Sequence, residues 1–144
     1  EAWMAEELET RLAAIIDYYE AMEFRKAAAE TRALWAAGNE YLTKAEPWVK
    51  YKTDVDAAAI GVRTGLNLAA IFGNIAQPLI PTAAKNILDA LGIPEENRKF
   101  PDAKDKGLLD ALPHGHKISP PDVLFSKIED GMVAEWTEKF GGES

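Results

Sequence analysis

The Pro47-Trp48 pair is the feature of this sequence with the clearest capacity for binding chemistry. Pro47 has no amide hydrogen and restricts the conformation of Glu46 before it, so the pair predicts that a helix ends here. A large indole just past a helix end either closes a helical bundle or lies on the surface as a flat platform. An exposed indole can stack on a nucleic-acid base, a contact worth roughly 1–3 kcal/mol. The residues alone leave both alternatives open.

Polar residues lie on both sides of this pair. Lys50 and Lys52 follow it at alternate positions, where they can meet a backbone phosphate. Asn39 and Tyr41 precede it on the last turns of the helix. Asn39 is expected to bond a backbone carbonyl or to hold the loop that presents the indole, whereas Tyr41 is expected to pack inside the bundle. The candidate binding residues are therefore Asn39, Pro47, Trp48, Lys50 and Lys52.

Two histidines are the candidates for metal chemistry. His114 and His116 stand two residues apart beside Asp110 and Asp122, and side chains at i and i+2 share a face in an extended segment. No third ligand stands at a suitable spacing, so structural or solvated histidines are the preferred interpretation and no metal site is predicted. The sequence also lacks paired carboxylates on an apolar face, a glycine-rich phosphate loop and a serine in a nucleophile setting. The chain by itself is not expected to be catalytic.

The composition is typical of a soluble globular domain. The 144 residues are 47% hydrophobic and 28% charged, which fits one domain of ordinary size. Cysteine is absent, which excludes disulfides and thiolate metal sites and favours a reducing, cytoplasmic location. No apolar run close to the roughly 20 residues of a membrane span is apparent, and no signal peptide opens the chain, so no membrane association is expected.

The charge is distributed unevenly. A net charge of −8 argues against nonspecific binding of DNA or RNA, because such binding depends on phosphate neutralisation by Lys and Arg. Residues 1–22 carry a net charge of −5, whereas residues 23–52 carry +2. The least acidic stretch therefore ends beside Trp48. A surplus of two positive charges is small, so a solvent-exposed surface with charges of both signs remains the simpler interpretation.

Helical periodicity dominates the chain and predicts an all-α fold, a bundle of four to six helices without strands. The predicted helices cover residues 3–20, 24–45, 55–76, 82–91 and 132–140. The third is apolar nearly all round, which predicts a place in the middle of the bundle. Residues 106–112 are predicted to form a short turn. Residues 114–125, with histidines and prolines between apolar ends, are predicted to form an extended segment packed across the bundle.

Three stretches together resemble one known family. Asn39–Trp48 resembles the N-x-Y-x5-P-W segment in the anticodon-binding domain of bacterial-type methionyl-tRNA synthetases. Residues 65–81, which open with GLNL and close with QPLIP, are similar to the family's long third helix and its P-x-x-P exit. Residues 115–128, with GHKI, a proline and LFSKI, are similar to its returning segment. The three stretches stand in the family's order across most of residues 24–130, which makes the match specific.

The resemblance implies that residues 1–144 are an anticodon-binding helical bundle that docks on the anticodon stem and loop of methionine tRNA. Trp48 matches the tryptophan on which the first anticodon base, a cytosine, stacks. His116 matches a segment expected to serve packing. The family's other readers, an Asn and an Arg one helical turn apart, lie on an earlier helix and have no match in residues 1–22. The resemblance therefore implies that this first anticodon-reading helix is absent from the fragment.

The family's ATP-binding signatures, HIGH and KMSKS, are also missing from the sequence. The resemblance therefore implies a fragment of a methionine–tRNA ligase whose catalytic domain, which uses ATP with Mg²⁺, lies upstream of Glu1. No cofactor is expected in the fragment itself.

Two other functions stay open at this stage. One is an acidic helical adaptor that binds a partner protein, with Trp48 as an interface hot spot. The other is the equivalent domain of another class I synthetase, for valine, isoleucine or leucine, since a P-W step after a helix also occurs there. Salt dependence separates the first from a tRNA reader, because phosphate contacts weaken steeply with added salt. Comparison of tRNAs that differ only in the anticodon separates the second.

Overall fold

The computed structural model describes residues 2–141, and these residues form an all-α fold. The helices are α1 (Ala2–Glu20), α2 (Phe24–Ala45), α3 (Pro47–Lys50), α4 (Val55–Ala76), α5 (Pro81–Ala90) and α6 (Asp130–Phe140). Two 3₁₀ turns lie at Glu95–Asn97 and Leu108–Asp110. No strand occurs within residues 2–141. The prediction of an all-α bundle of four to six helices is confirmed.

The core forms where α1, α2 and α4 each contribute one buried stripe. The apolar residues recur at three and four along each helix, so a single face of each is withdrawn from water. The buried members are Met4, Leu8, Leu12 and Ile15 of α1, Leu34, Ala37 and Tyr41 of α2, and Leu68, Ile71 and Ile75 of α4. The packing predicted for Tyr41 is therefore confirmed.

Helix α4 occupies the centre of the bundle, as its apolar sequence predicts. It contacts α2, α3, α5 and the Leu108–Asp110 turn. Its small residues allow these neighbours to approach closely: a Cβ added at Gly65 would lie 2.8 Å from the Leu42 side chain. The burial is incomplete, however, because Ile60 and Val62 in the first half of α4 are about half exposed. This partly open half faces the site described below.

By length and composition alone, α4 also meets the criterion for a membrane span, with a mean hydropathy of 1.3. The prediction that no apolar run approaches the length of a membrane span is therefore wrong by this criterion. The criterion is weak evidence, because the central helix of a bundle satisfies it equally well.

The chain after α5 departs from the prediction. Residues 114–125 lie outside the helices, as expected, but they are mostly exposed: Val123 is 88% and Phe125 is 66% accessible. Within residues 2–141, the last hydrogen bond from this segment to the bundle is donated by the Ser119 amide to Ala90. Two prolines without amide hydrogens follow. The predicted packing across the bundle is thus wrong beyond Ser119, and α6 has no buried side chain.

Candidate nucleic-acid interface

A left-handed residue followed by a proline brings Trp48 to the surface. Helix α2 ends at Ala45, and Glu46 adopts φ 44° and ψ 51°, with its amide donating to the carbonyl of Leu42. This conformation closes the helix end in the usual left-handed manner. Pro47 then occupies the first turn of α3, where its missing amide hydrogen costs nothing. The predicted end of α2 is confirmed, whereas the short helix that follows it was not predicted.

Pro47 and Trp48 differ sharply in exposure. Pro47 is buried beside α4, where a Cβ added at Gly61 would lie 3.4 Å from the proline ring. Trp48 is 59% exposed, because successive residues of a helix point about 100° apart. Trp48 is therefore not a core wedge. The structure therefore agrees with the second alternative, in which the indole lies on the surface.

Trp48 lines an open, largely apolar cavity of about 580 Å³, here called the Trp48 groove. Trp48 and Tyr51 contribute its aromatic lining. Helix α4 contributes a stripe consisting of Val55, Ala58, Ala59, Val62, Arg63 and Leu66. Residues 112–116 contribute a further side, here called the 112–116 wall. A volume of this size falls within the range of about 300–1,000 Å³ that is usual for ligand sites.

Arg63 ties the segment that forms the 112–116 wall to α4. Its Nε donates to the carbonyl of Leu112 at 3.0 Å, and its Nη2 donates to the carbonyl of Asp110 at 3.1 Å. Its Nη1 lies 3.2 Å from the Asp110 carboxylate. One guanidinium thus reaches three oxygens on the irregular segment, an arrangement that its planar fork of donors permits.

Asn67, one turn after Arg63, makes a second attachment. It is fully buried, with 0% exposure. Its Nδ2 donates to the carbonyl of Arg63 at 3.0 Å, and its Oδ1 accepts from the amide of Leu112 at 2.8 Å. The amide and the carbonyl of Leu112 are therefore both bonded by side chains of α4.

His116 makes the third attachment, to the end of α5. Its Nε2 lies 2.5 Å from the carbonyl of Leu91. Since a carbonyl oxygen only accepts, Nε2 carries the hydrogen of this bond. The expectation of a packing role for His116 agrees with this contact. Within residues 2–141, no group of three or more His, Cys, Asp or Glu side chains is arranged to hold a metal ion.

The structure brings together only part of the predicted site. Pro47 and Trp48 line the Trp48 groove, whereas Asn39, Lys50 and Lys52 lie outside it. Asn39 is exposed on α2, Lys52 is exposed, and Lys50 is half-buried. In the part of the chain that the structure describes, neither lysine forms an ion pair.

Sequence reasoning missed Tyr51, Arg63 and Asn67. Tyr51 follows Trp48 by three residues, the spacing that places two side chains on one helical face, so recognition of α3 would have revealed it. Arg63 and Asn67 stand one turn apart on an otherwise apolar helix. A polar pair at this spacing was the sequence feature that could have indicated their role. Their partners lie more than 40 residues later in the chain, which no local pattern shows.

Comparison with known proteins identifies the family. The full chain, residues 1–144, matches the family model described as the anticodon binding domain of methionyl tRNA ligase. The chain belongs to this family. It is 74% identical over 146 residues to a methionine–tRNA ligase of Hyphomonas neptunium and 71% identical over 143 residues to that of Maricaulis maris. Each alignment covers 99% of this chain and 25% of the relative.

A more distant relative agrees with the two above. The methionine–tRNA ligase of Caulobacter vibrioides is 48% identical over 136 residues, which cover 94% of this chain and 24% of that protein. The chain thus spans about a quarter of the length of the curated relatives it matches. The resemblance found in the sequence is confirmed, and neither the acidic adaptor nor the domain of another class I synthetase is favoured.

Proposed function

We propose that this chain reads the anticodon of methionine tRNA by stacking one unpaired loop base on Trp48 within the Trp48 groove. The observation that carries the proposal is an exposed indole on the wall of an apolar groove, in a chain of an anticodon-binding family. Sequence-specific RNA recognition commonly acts on splayed-out loop bases that stack on aromatic side chains. The resemblance suggests that the stacked base is the cytosine at the first anticodon position.

The groove offers more than one surface to such a base. Tyr51 extends the aromatic wall beside Trp48, and the apolar stripe of α4 gives a floor that withdraws the base from water. In the 112–116 wall, Gly115 has φ 72°, and no atom beyond Gly115 and its two chain neighbours lies within 4 Å of the position where a Cβ would stand. We propose that this open space lets a base edge approach the backbone of Gly115 closely.

The lysines outside the groove would act on the RNA backbone. Lys50 lies at the end of α3 and Lys52 two residues later, so both are close to Trp48 along the chain. We propose that they neutralise phosphates of the strand that enters the groove, a contribution that does not depend on base identity. Asn39 stays a predicted RNA contact or loop support.

The relatives that share this domain are methionine–tRNA ligases, of which the chain matches about a quarter. We therefore also propose that residues 1–144 form one anticodon-binding unit of such a ligase. In this proposal the rest of the enzyme uses ATP with Mg²⁺ to attach methionine to tRNA in the cytoplasm. Residues 1–144 supply recognition, and no catalytic residue is assigned among them.

Binding of RNA stem-loops tests the proposal. The chain is titrated by fluorescence anisotropy against a stem-loop with the methionine anticodon CAU and against three others that differ only in the first anticodon base. We expect the CAU stem-loop to bind at least about tenfold more tightly, equivalent to about 1.4 kcal/mol. Equal affinity for all four would contradict the proposal. Salt-insensitive binding would point instead to an apolar protein interface.

A further inference from the structure

We infer that Arg63, Asn67 and His116 are positioning residues that hold the 112–116 wall in place in the Trp48 groove, where a stacked base would bind. The inference rests on the proposed function, because the wall has no such role unless a base enters the groove. Arg63 and His116 also line the Trp48 groove, whereas Asn67 does not. The inferred role of all three is to fix the backbone of the 112–116 wall.

The attachments are concentrated on one short, irregular segment. Residues 111–116 lie outside any helix, and segments of this kind on a protein surface are usually the most easily displaced. Here Arg63 and Asn67 of α4 bond to the segment, and the His116 ring of the segment bonds to the carbonyl of Leu91, just after α5. Side chains thus supply bonds that a regular helix or strand would supply from its own backbone.

Asn67 is the decisive residue because it cannot reach the RNA. It has 0% exposure, and both its donor and its acceptor are bonded within the protein. An effect of Asn67 on RNA binding must therefore pass through its bonding partners, Leu112 on the irregular segment and Arg63 on α4. Arg63 is less informative, since its partly exposed guanidinium can also attract phosphate.

The attachments join α4 and the residue after α5 to the irregular segment. None of them bonds α1 to α2 or α2 to α4, the helices whose buried stripes form the core cluster. The loss of one attachment is therefore expected to release the 112–116 wall while the bundle stays folded. A groove with one loose wall retains the indole but loses the second surface, and binding sites tolerate little displacement of their supporting groups.

The test compares Asn67→Leu with a matched control, Thr31→Val. Thr31 is equally buried and polar, but its hydroxyl donates only within α2, to the carbonyl of Ala27. We expect Asn67→Leu to bind the CAU stem-loop about tenfold more weakly than the wild-type chain, whereas Thr31→Val binds like the wild type. Hydrogen exchange at the Leu112 amide should accelerate in Asn67→Leu alone. Thermal unfolding establishes the temperature at which all variants are folded.

A second pair covers the case in which Asn67→Leu does not fold. His116→Ala removes the bond to Leu91, and His116→Gln keeps an amide donor at a similar reach. We expect His116→Ala to weaken binding of the CAU stem-loop and His116→Gln to restore most of it. Folded Asn67→Leu and His116→Ala variants that bind like the wild type would overturn the inference. Failure of the wild-type chain to discriminate among the four stem-loops would instead overturn the proposed function.

Discussion

Replacement of Trp48 by alanine distinguishes an exposed stacking surface from a buried core residue, because the two predict different losses in the free energy of unfolding. About two-fifths of the Trp48 surface is covered, since 59% is exposed. Full burial of an aromatic side chain covers about 150–250 Å², so the covered part is on the order of 80 Å². At roughly 25 cal/mol per Å², its loss costs at most about 2 kcal/mol. A buried tryptophan would cost about 3–5 kcal/mol.

A loss of this size leaves the domain folded. Domains have free energies of unfolding of about 5–15 kcal/mol, and about 2 kcal/mol corresponds to a decrease in Tm of up to about 8 °C in a chain of this length. The effect on RNA should be larger. Loss of one aromatic stack costs about 1–3 kcal/mol, which raises the Kd for the CAU stem-loop roughly 5- to 150-fold.

The assay combines thermal unfolding by circular dichroism with anisotropy titration of the CAU stem-loop. Trp136→Ala is the matched control, because Trp136 is also partly exposed, at 42%, but lies on α6 outside the Trp48 groove. Trp48→Phe keeps an aromatic face and should retain part of the affinity. The reasoning is refuted if Trp48→Ala binds within twofold of the wild type, or if Trp136→Ala loses as much affinity.

Three further predictions concern single residues. Lys50→Ala and Lys52→Ala should each reduce the slope of log K against log salt by about 0.7 if each lysine meets one phosphate, measured by titration at several salt concentrations; an unchanged slope excludes the contact. Glu46→Gly should raise the free energy of unfolding by up to about 1 kcal/mol, measured in urea, because glycine adopts φ 44° without strain; destabilisation would contradict this. Hydrogen bonds from Lys85 and Arg98 lower the pKa of Asp89, so its carboxylate stabilises the fold at neutral pH and this contribution disappears as the pH falls through the lowered pKa. Asp89→Asn should therefore lower Tm at pH 7 but leave it unchanged at a pH below that pKa. An equal decrease in Tm at the two pH values would show that the charge of Asp89 is not the cause.

The local pattern of the sequence determined the helices. The bounds predicted for α2 and α4 agree with the structure, and those of α1, α5 and α6 agree within two residues. Helix formation depends on neighbours three and four positions away and on proline at the helix ends, and both are visible in the chain itself. The same kind of local pattern, read as three ordered stretches, was enough to indicate the family.

The tertiary structure decided what the site is. The sequence left Trp48 open between core and surface, and only the burial of Pro47 beside Gly61 shows which way the indole points. The 112–116 wall could not be predicted either, because Arg63 and Asn67 bond to residues more than 40 positions away. The sequence also placed residues 114–125 against the bundle, but it could not show that the attachments end at Ser119. Burial and long-range hydrogen bonds depend on which surfaces meet after folding, and the local periodicity of a sequence does not determine which surfaces those are.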